Sequence, residues 1–337
     1  MKILLIGGTG TISMAVTRLL AERGTDDVYL LNRGSRSSEL PSGINIINAD
    51  INNEDDVKSK ISGMYFDAVC EFIGFVPSQI ERDIRLFAGR TGQYIYISSA
   101  SAYHKPVADY RITEGTALAN PYWQYSRDKI ACEELLMSYY RKEGFPVTIV
   151  RPSHTYDERS IPLGVHGSKG SWQVAKRMLE NKPVIIHGDG TSLWTMTFNT
   201  DFARGYVGLI GNPHAIGEAF QIMSDETLTW DQIYETIAKV LGVKLNCVHV
   251  ASEFLRDVSD YDFEGSLLGD KACSVVFDTT KIRRIVPDFC TRVRFEEGVR
   301  ITISNILDHP EYQIEDPEFD LWCDRVVAAL DRARKAF

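Results

Sequence analysis

Along the first 150 residues the hydrophobic pattern switches repeatedly between two periods. "KILLI" (Lys2–Ile6) is an unbroken apolar run ending in glycines, and from Ile12 to Arg23 the apolar positions recur at helical spacing until Gly24. "DVYLLN" (Asp27–Asn32), "INIINAD" (Ile44–Asp50), "FDAVCEFIG" (Phe66–Gly74), "GQYIYISS" (Gly92–Ser99) and "PVTIVRP" (Pro146–Pro152) repeat the short run, with helical stretches between them. Strands buried on both faces and separated by long helices predict βαβ units and a parallel sheet. Right-handed crossovers then give an α/β fold, a doubly wound parallel sheet of the Rossmann type.

After Pro152 the alternation loosens. "GSKGSWQVAKRMLEN" (Gly167–Asn181) reads as a helix, "PVIIHGDG" (Pro183–Gly190) as a strand and turn, and "TWDQIYETIAKVLG" (Thr229–Gly242) as an amphipathic helix with Thr229 as its cap. The tail from Ile314 to Phe337 is helical, acidic at its start and basic at its end, as the helix dipole favours. The expected organisation is a dinucleotide-binding domain over 1–160, to which a segment of about 184–215 returns, and a smaller C-terminal α/β substrate lobe over 161–337.

Composition narrows the partners. The chain has 337 residues, a net charge of −9, 44% hydrophobic and 25% charged residues. An acidic balance disfavours nucleic acid, which selects basic surfaces. The six cysteines, Cys70, Cys132, Cys247, Cys273, Cys290 and Cys323, are scattered, with no Cys-x-x-Cys. They read as reduced thiols, which suits a cytoplasmic protein. "MKILLIGG" is too short for a signal peptide, and no apolar stretch is long enough to span a membrane, so no membrane partner is expected. His166, His187, Asp157 and Asp189 lack metal-ligand spacing, and no metal site is predicted.

Chemistry enters at the first glycine turn. "LLIGGTGTIS" places Gly7, Gly10 and Ser13 between a strand and a helix. Glycine at position 7 permits a tight turn, and Gly10 lets a pyrophosphate approach the helix amides. The third position usually packs helix on strand, and serine there adds a small cost. The second strand ends in Asn32, followed by Arg33 and Arg36, instead of the carboxylate that favours NAD. Two guanidiniums beside a neutral amide suit a 2′-phosphate. They read equally well as solvated loop residues, so the cofactor is NAD(P) with a slight tilt to NADP. Asp50, ending "NAD", is placed to meet the adenine amino group. The positions expected to line the dinucleotide are Gly7, Gly10, Thr11, Ile12, Asn32, Arg33, Arg36, Asp50, Ile51, Lys129 and Pro152.

A second constellation stands farther on. "YISSASAY" (Tyr96–Tyr103) ends a strand, and "YSRDK" holds Tyr125 and Lys129 four apart on one helix face. "VRPSHTY" (Val150–Tyr156) and "FNTDFARG" (Phe198–Gly205) follow. In order and separation these motifs resemble the extended short-chain dehydrogenase/reductase superfamily, the NAD-dependent epimerase/dehydratase family, over nearly the whole chain. The resemblance implies that Ser99, Tyr125 and Lys129 are catalytic, with Ser98 as the alternative hydroxyl. The chemistry is coherent: a phenol is a poor base at neutral pH, and positive charge from Lys129 and an oxidised nicotinamide would lower its pKa. Lys129 would also bind the nicotinamide ribose, and Ser99 the substrate oxygen. Members of this group dimerise through a four-helix contact, so a homodimer built on the Tyr125 helix is one assembly the resemblance implies.

Three departures bear on the substrate. Ala100 follows Ser99 where dehydratases of the family carry acids, which argues against simple dehydration. Trp194 stands where members that bind a sugar diphosphate offer arginine, and tryptophan cannot neutralise phosphate. His154 follows a strand end near the expected nicotinamide and reads either as a substrate contact or as an ordinary hydrogen-bonded histidine. Tyr122, Trp123 and Trp172 suit a sugar face or a core equally. The expected substrate is a small sugar-like molecule or nucleotide sugar, oxidised at a secondary hydroxyl by an epimerase or dehydrogenase. The alternatives are a one-way NADPH-dependent reductase of a non-nucleotide keto substrate, or a non-catalytic relative, since "GGTGTIS" and "LLNRG" also look similar to chloroplast stem-loop-binding proteins.

Overall fold

The central apolar runs become strands buried on both faces, where alternating polarity would strand polar side chains, whereas the edge run at Asn45–Asn48 is exposed at three of its four residues. The computed structural model describes residues 1–34 and 40–337. Its first half runs β1 (Lys2–Ile6), α1 (Thr11–Arg23), β2 (Asp27–Asn32), β3 (Asn45–Asn48), α2 (Glu54–Lys60), β4 (Ala68–Glu71), α3 (Pro77–Phe87), β5 (Tyr94–Ile97), β6 (Arg111–Ile112), α4 (Gln124–Glu143) and β7 (Val147–Arg151). Then follow β8 (His154–Tyr156), α5 (Trp172–Leu179), β9 (Val184–His187), β10 (Leu193–Trp194), β11 (Met196–Phe198), α6 (Asn199–Leu209) and β12 (Ala219–Gln221). The remainder is β13 (Leu228–Thr229), α7 (Trp230–Leu241), β14 (Cys247–Val250), α8 (Ser252–Asp257), β15 (Val276–Phe277), α9 (Thr280–Ile285), α10 (Phe295–Asp308) and α11 (Pro317–Lys335).

The central sheet has seven strands in the order β12-β7-β5-β4-β1-β2-β3, every pair parallel. Strand order reverses between β1 and β4, so the loops after these two strands diverge and open a crevice at their carboxyl ends. The glycine turn and the 72–76 loop line that crevice. Two apolar clusters cover the faces of the sheet: Leu5, Leu30, Ile95 and Phe202 on one, and Leu4, Ile6, Val69 and Tyr94 on the other. Truncating one such buried aliphatic costs about 2–5 kcal/mol.

Local rules explain the helix ends. Gly24 closes α1 at φ +59°, where a side chain would be strained. Thr229 caps α7 through a reciprocal box: its Oγ1 accepts from the Gln232 amide at 3.1 Å, and the Gln232 side chain accepts from the Thr229 amide at 2.9 Å. α5 is shorter than the Gly167–Asn181 periodicity predicts, because Gly170 at φ +102° turns the chain before Trp172.

Strand β12 is the seventh member of the sheet, and its three residues are too few to show a period. The 184–215 segment divides. Strand β9 pairs with β14 in the C-terminal lobe, whereas α6 packs along α1 beneath the sheet. A third apolar cluster, including Trp194, Trp230, Tyr234 and Trp322, forms the lobe's own core. Among the described residues no helix is long and apolar enough to cross a membrane.

Candidate active site

The glycine turn is held by the residues that follow it. Gly7 has φ +80°, and a Cβ there would come within 2.4 Å of Ile73 Cγ2. The neighbouring Gly8 is where helix, turn and strand meet most tightly, since a Cβ would stand 2.3 Å from Leu30 Cδ1. Ser13 does not merely tolerate the third position. Its hydroxyl donates to the Gly7 carbonyl at 2.7 Å and accepts from the Gly10 amide at 2.8 Å, stapling the turn to α1. A Cβ on Gly10 would meet only Ser13 Oγ, at 3.4 Å, and would otherwise fill the space before the helix N-terminus. That space fits a pyrophosphate facing helix amides.

Beside the turn lies a cavity of about 350 Å3 whose walls include Gly7, Gly10, Asn32, Arg33, Asp50 and Ile51. Six of the predicted cofactor positions therefore share one pocket. Asn32 Oδ1 accepts from the Gly34 amide at 3.0 Å, and Asp50 Oδ1 accepts from the Asn52 amide and side chain at 3.0 and 3.1 Å. Arg33 is exposed at the rim. Arg36 lies outside the described residues. Thr11 accepts the Asn199 side-chain amide at its carbonyl, 3.1 Å away, and Ile12 packs on the core below. The Pro152 carbonyl accepts the Ala100 amide at 2.8 Å and so ties the end of β7 to the end of β5.

Ser99 follows β5, and its hydroxyl belongs to a chain of three. Ser126 Oγ donates to Ser101 Oγ at 2.7 Å, Ser101 Oγ lies 2.9 Å from Ser99 Oγ, and the Ser101 amide donates to Ser99 at 3.1 Å. With Ser126 feeding Ser101, the Ser101 hydrogen is free to turn to Ser99. The Ser99 hydrogen is then free for the phenol or a substrate oxygen. Tyr125, near the start of α4, lies close enough to that serine for its hydroxyl to act on the phenol. Burial pushes the Tyr125 phenol above its ordinary pKa, the Ser99 hydroxyl opposes this, and the Asp270 carboxylate adds to it. The lowering predicted from the sequence is therefore not a property of the protein alone. Desolvation outweighs it while no cofactor charge is present. Ser98 is buried, and its Oγ has no partner among the described residues.

Lys129 sits one turn along α4, 1% exposed, and donates to the carbonyls of Gly74 and Ile97, each at 2.7 Å. Its ammonium lies 4.8 Å from the ring centroids of Phe75 and Tyr96 and 5.8 Å from that of Tyr125. Burial depresses its pKa to about 8. The lysine thus bridges the loop after β4 and the end of β5, with the Tyr125 ring close by.

Beneath the 72–76 loop is a polar cluster the sequence reading did not single out. Glu71 Oε1 accepts from the Ile73 amide at 2.5 Å. Asp83 binds Arg82 at 2.8 Å and the Tyr94 hydroxyl at 2.8 Å, and Arg82 reaches Asn52 at 2.7 Å. Burial and the neighbouring Asp83 carboxylate hold Glu71 well above the usual carboxylate range. The signal available in the sequence was an acid inside the apolar run "VCEF".

The lobe side of the site is built around residues 264–271, a π-helical turn. Gly265 and Gly269 allow Trp123 and Tyr122 to close on it, and Trp123 lies 4.9 Å from the Tyr125 ring. Trp194 is 1% exposed and stacked on Trp230 at 6.0 Å. His154 pairs in register with Met196, and its enclosed Nδ1 has no partner among the described residues. Burial lowers its pKa to about 3, so it is neutral near pH 7. Trp172 lies in the lobe core.

The family model described as the NAD dependent epimerase/dehydratase family matches residues 3–222. The chain belongs to that family. Its members are enzymes, and the match spans the glycine turn, Ser99, Tyr125 and Lys129. Among curated relatives, 2′-dehydrokanamycin reductase of Streptomyces kanamyceticus is 24% identical over 87% of this chain and 81% of its own length. The chloroplast stem-loop binding protein of 41 kDa b of Arabidopsis thaliana is 27% identical over 72% of this chain and 63% of its own. Among solved structures, UDP-glucuronic acid 4-epimerase from Bacillus cereus in complex with NAD has a TM-score of 0.72 at 20% identity, covering 91% of this chain and 99% of that one.

Proposed function

We propose that the chain is a nicotinamide-dinucleotide-dependent oxidoreductase that interconverts a secondary alcohol and a ketone on a sugar or sugar-like ring, through Ser99, Tyr125 and Lys129. The observation that carries this reading is the convergence of the Ser99 hydroxyl on the Tyr125 phenol, with Lys129 one turn along the same helix and bonded to the Gly74 and Ile97 carbonyls. Bound at that turn, the dinucleotide would supply or accept the hydride. Tyr125 holds the proton at its phenolic oxygen and passes it to or from the substrate oxygen, while Ser99 fixes that oxygen through its relay of hydroxyls. Lys129 supplies the nearby positive charge and a donor for the ribose, replacing its two carbonyl partners in part.

A second reading, a one-way reductase of a non-nucleotide keto sugar, is favoured by Trp194. Packed against Trp230, it stands where the family resemblance leads one to expect a phosphate-binding arginine. The similarity to a reductase acting on a dehydro sugar supports the same alternative. NAD is the cofactor of the family and of the structural relative cited above. The tilt to NADP rests on Arg33 and Arg36 alone.

Two measurements test the proposal together. The mass of the dinucleotide retained on purification identifies the cofactor, and a tightly held NAD favours the epimerase form. Tyr125→Phe should lower turnover of keto- and hydroxy-sugars by about 10²–10⁴-fold while binding dinucleotide like wild type. Undiminished turnover in that variant overturns the assignment.

A further inference from the structure

Lys105 is a buried cation with no direct ion pair among the described residues, although the Asp270 carboxylate acts on it from farther off. It is 3% exposed, and among the described residues its one hydrogen bond runs to the Asp270 carbonyl at 3.1 Å, with no carboxylate at ion-pair distance. An ammonium carries three donors and no acceptor, so two of its N–H groups are unspent. Its nitrogen lies 5.7 Å from the ring centroid of Trp194, whose own Nε1, a donor only, is enclosed and has no partner among the described residues. Two side chains in contact thus offer N–H groups and nothing that accepts. Leaving such donors buried and unmet is unfavourable, and an anionic oxygen group satisfies both at once.

The place is tied to the reacting centre. Asp270, whose carbonyl holds Lys105, belongs to the 264–271 turn that packs on Tyr122 and Trp123, and its carboxylate acts on the Tyr125 phenol. The Asp270 side chain is engaged by Lys271 at 3.5 Å. Two ammonium groups therefore share one carboxylate. Burial lowers the pKa of Lys105, the cost expected of a cation waiting for a partner.

We propose that Lys105 recognises one anionic oxygen group of the substrate, a carboxylate or a single phosphate ester on the sugar ring, restoring from another element the charge that Trp194 does not provide. This rests on the proposed oxidoreductase reading of Tyr125. A ring bearing one negative charge is matched, and an amino sugar is repelled.

The test uses the full chain loaded with NAD, with D-glucose, D-glucuronate, D-glucose 6-phosphate and D-glucosamine as probes, followed by ligand-observed NMR. At least one anion should bind about tenfold tighter than glucose, and glucosamine more weakly than glucose. Lys105→Met should abolish the preference without changing glucose binding, and Lys105→Arg should restore it. The anion that loses most in Lys105→Met identifies carboxylate or phosphate as the recognised group. Equal binding of the anions and glucose to wild type, or a preference that survives Lys105→Met, overturns the proposal. Dinucleotide binding, measured separately by tryptophan quenching, reports on the fold of each variant. Its absence in wild type would defeat the oxidoreductase reading, whereas its presence without an anion preference defeats only the role of Lys105.

Discussion

Lys129 and Gly74, 55 residues apart, are joined by a 2.7 Å hydrogen bond that fastens the helix of Tyr125 to the loop leaving β4. The same ammonium holds the Ile97 carbonyl at the end of β5. One buried side chain thus registers the helix, the loop and the strand against each other.

That charge should be visible in a pH profile. Burial depresses Lys129 to about 8, well under a free lysine, so the free protein sheds this proton in the mildly alkaline range. In the reductive direction kcat/KM, which reports the free enzyme, should fall above about pH 8, whereas a phenol pushed upward stays protonated there. Lys129→Met should weaken dinucleotide binding, slow turnover and flatten this limb. A wild-type profile that stays level through pH 9, or a limb retained in Lys129→Met, would refute the assignment of that titration to Lys129.

Ser13 offers a cleaner probe of the turn. Ser13→Ala removes the hydroxyl that both donates to Gly7 and accepts from Gly10, and should cost about 0.5–1.5 kcal/mol of stability per bond lost. Dinucleotide affinity should fall with it, because the turn loses its staple while every atom facing the pyrophosphate remains. Calorimetric binding and thermal melts check both effects; unaltered affinity in a destabilised variant would mean the turn is rigid without the serine.

The Glu71–Asp83 pair makes a prediction about stability. Glu71 is held above its ordinary value of 4.5, so the folded state binds this proton more tightly than the unfolded state. Its contribution is complete below about pH 4.5 and is lost as pH rises through the raised value. Glu71→Gln mimics the protonated form and keeps an acceptor for the Ile73 amide. Its melting temperature should fall less steeply than that of wild type between about pH 5 and pH 9. Glu71→Ala should cost about 1–3 kcal/mol at neutral pH by leaving the Ile73 amide unmet. Parallel wild-type and Glu71→Gln curves would show that the pair does not carry this proton.

What the sequence made legible is local. The run Lys2–Ile6 is buried on both faces, Gly7 needs a positive φ, and Gly24 and Thr229 mark helix ends by their own chemistry. What it hid depends on distant partners. Lys105 sits in an unremarkable loop and becomes a buried cation only because Asp270, 165 residues away, folds over it. Glu71 reads as an acid at a strand end until α3 brings Asp83 against it. Tyr125 and Lys129 were legible as a pair from their helical spacing. The direction of the phenol's pKa was not, because burial by the 264–271 turn enters no local rule.

Strand β12 has a bearing on how the chain is made. It covers the outer side of β7, yet it lies some 70 residues later, after the chain has already entered the lobe. A nascent polypeptide that has emerged only as far as β7 presents the unpaired edge of a strand that is buried along its whole length in the folded chain, a template for association with other chains. Maturation of the nucleotide layer therefore waits on synthesis of residues 219–221, and a truncation ending before them would yield an aggregating fragment in place of a free-standing half.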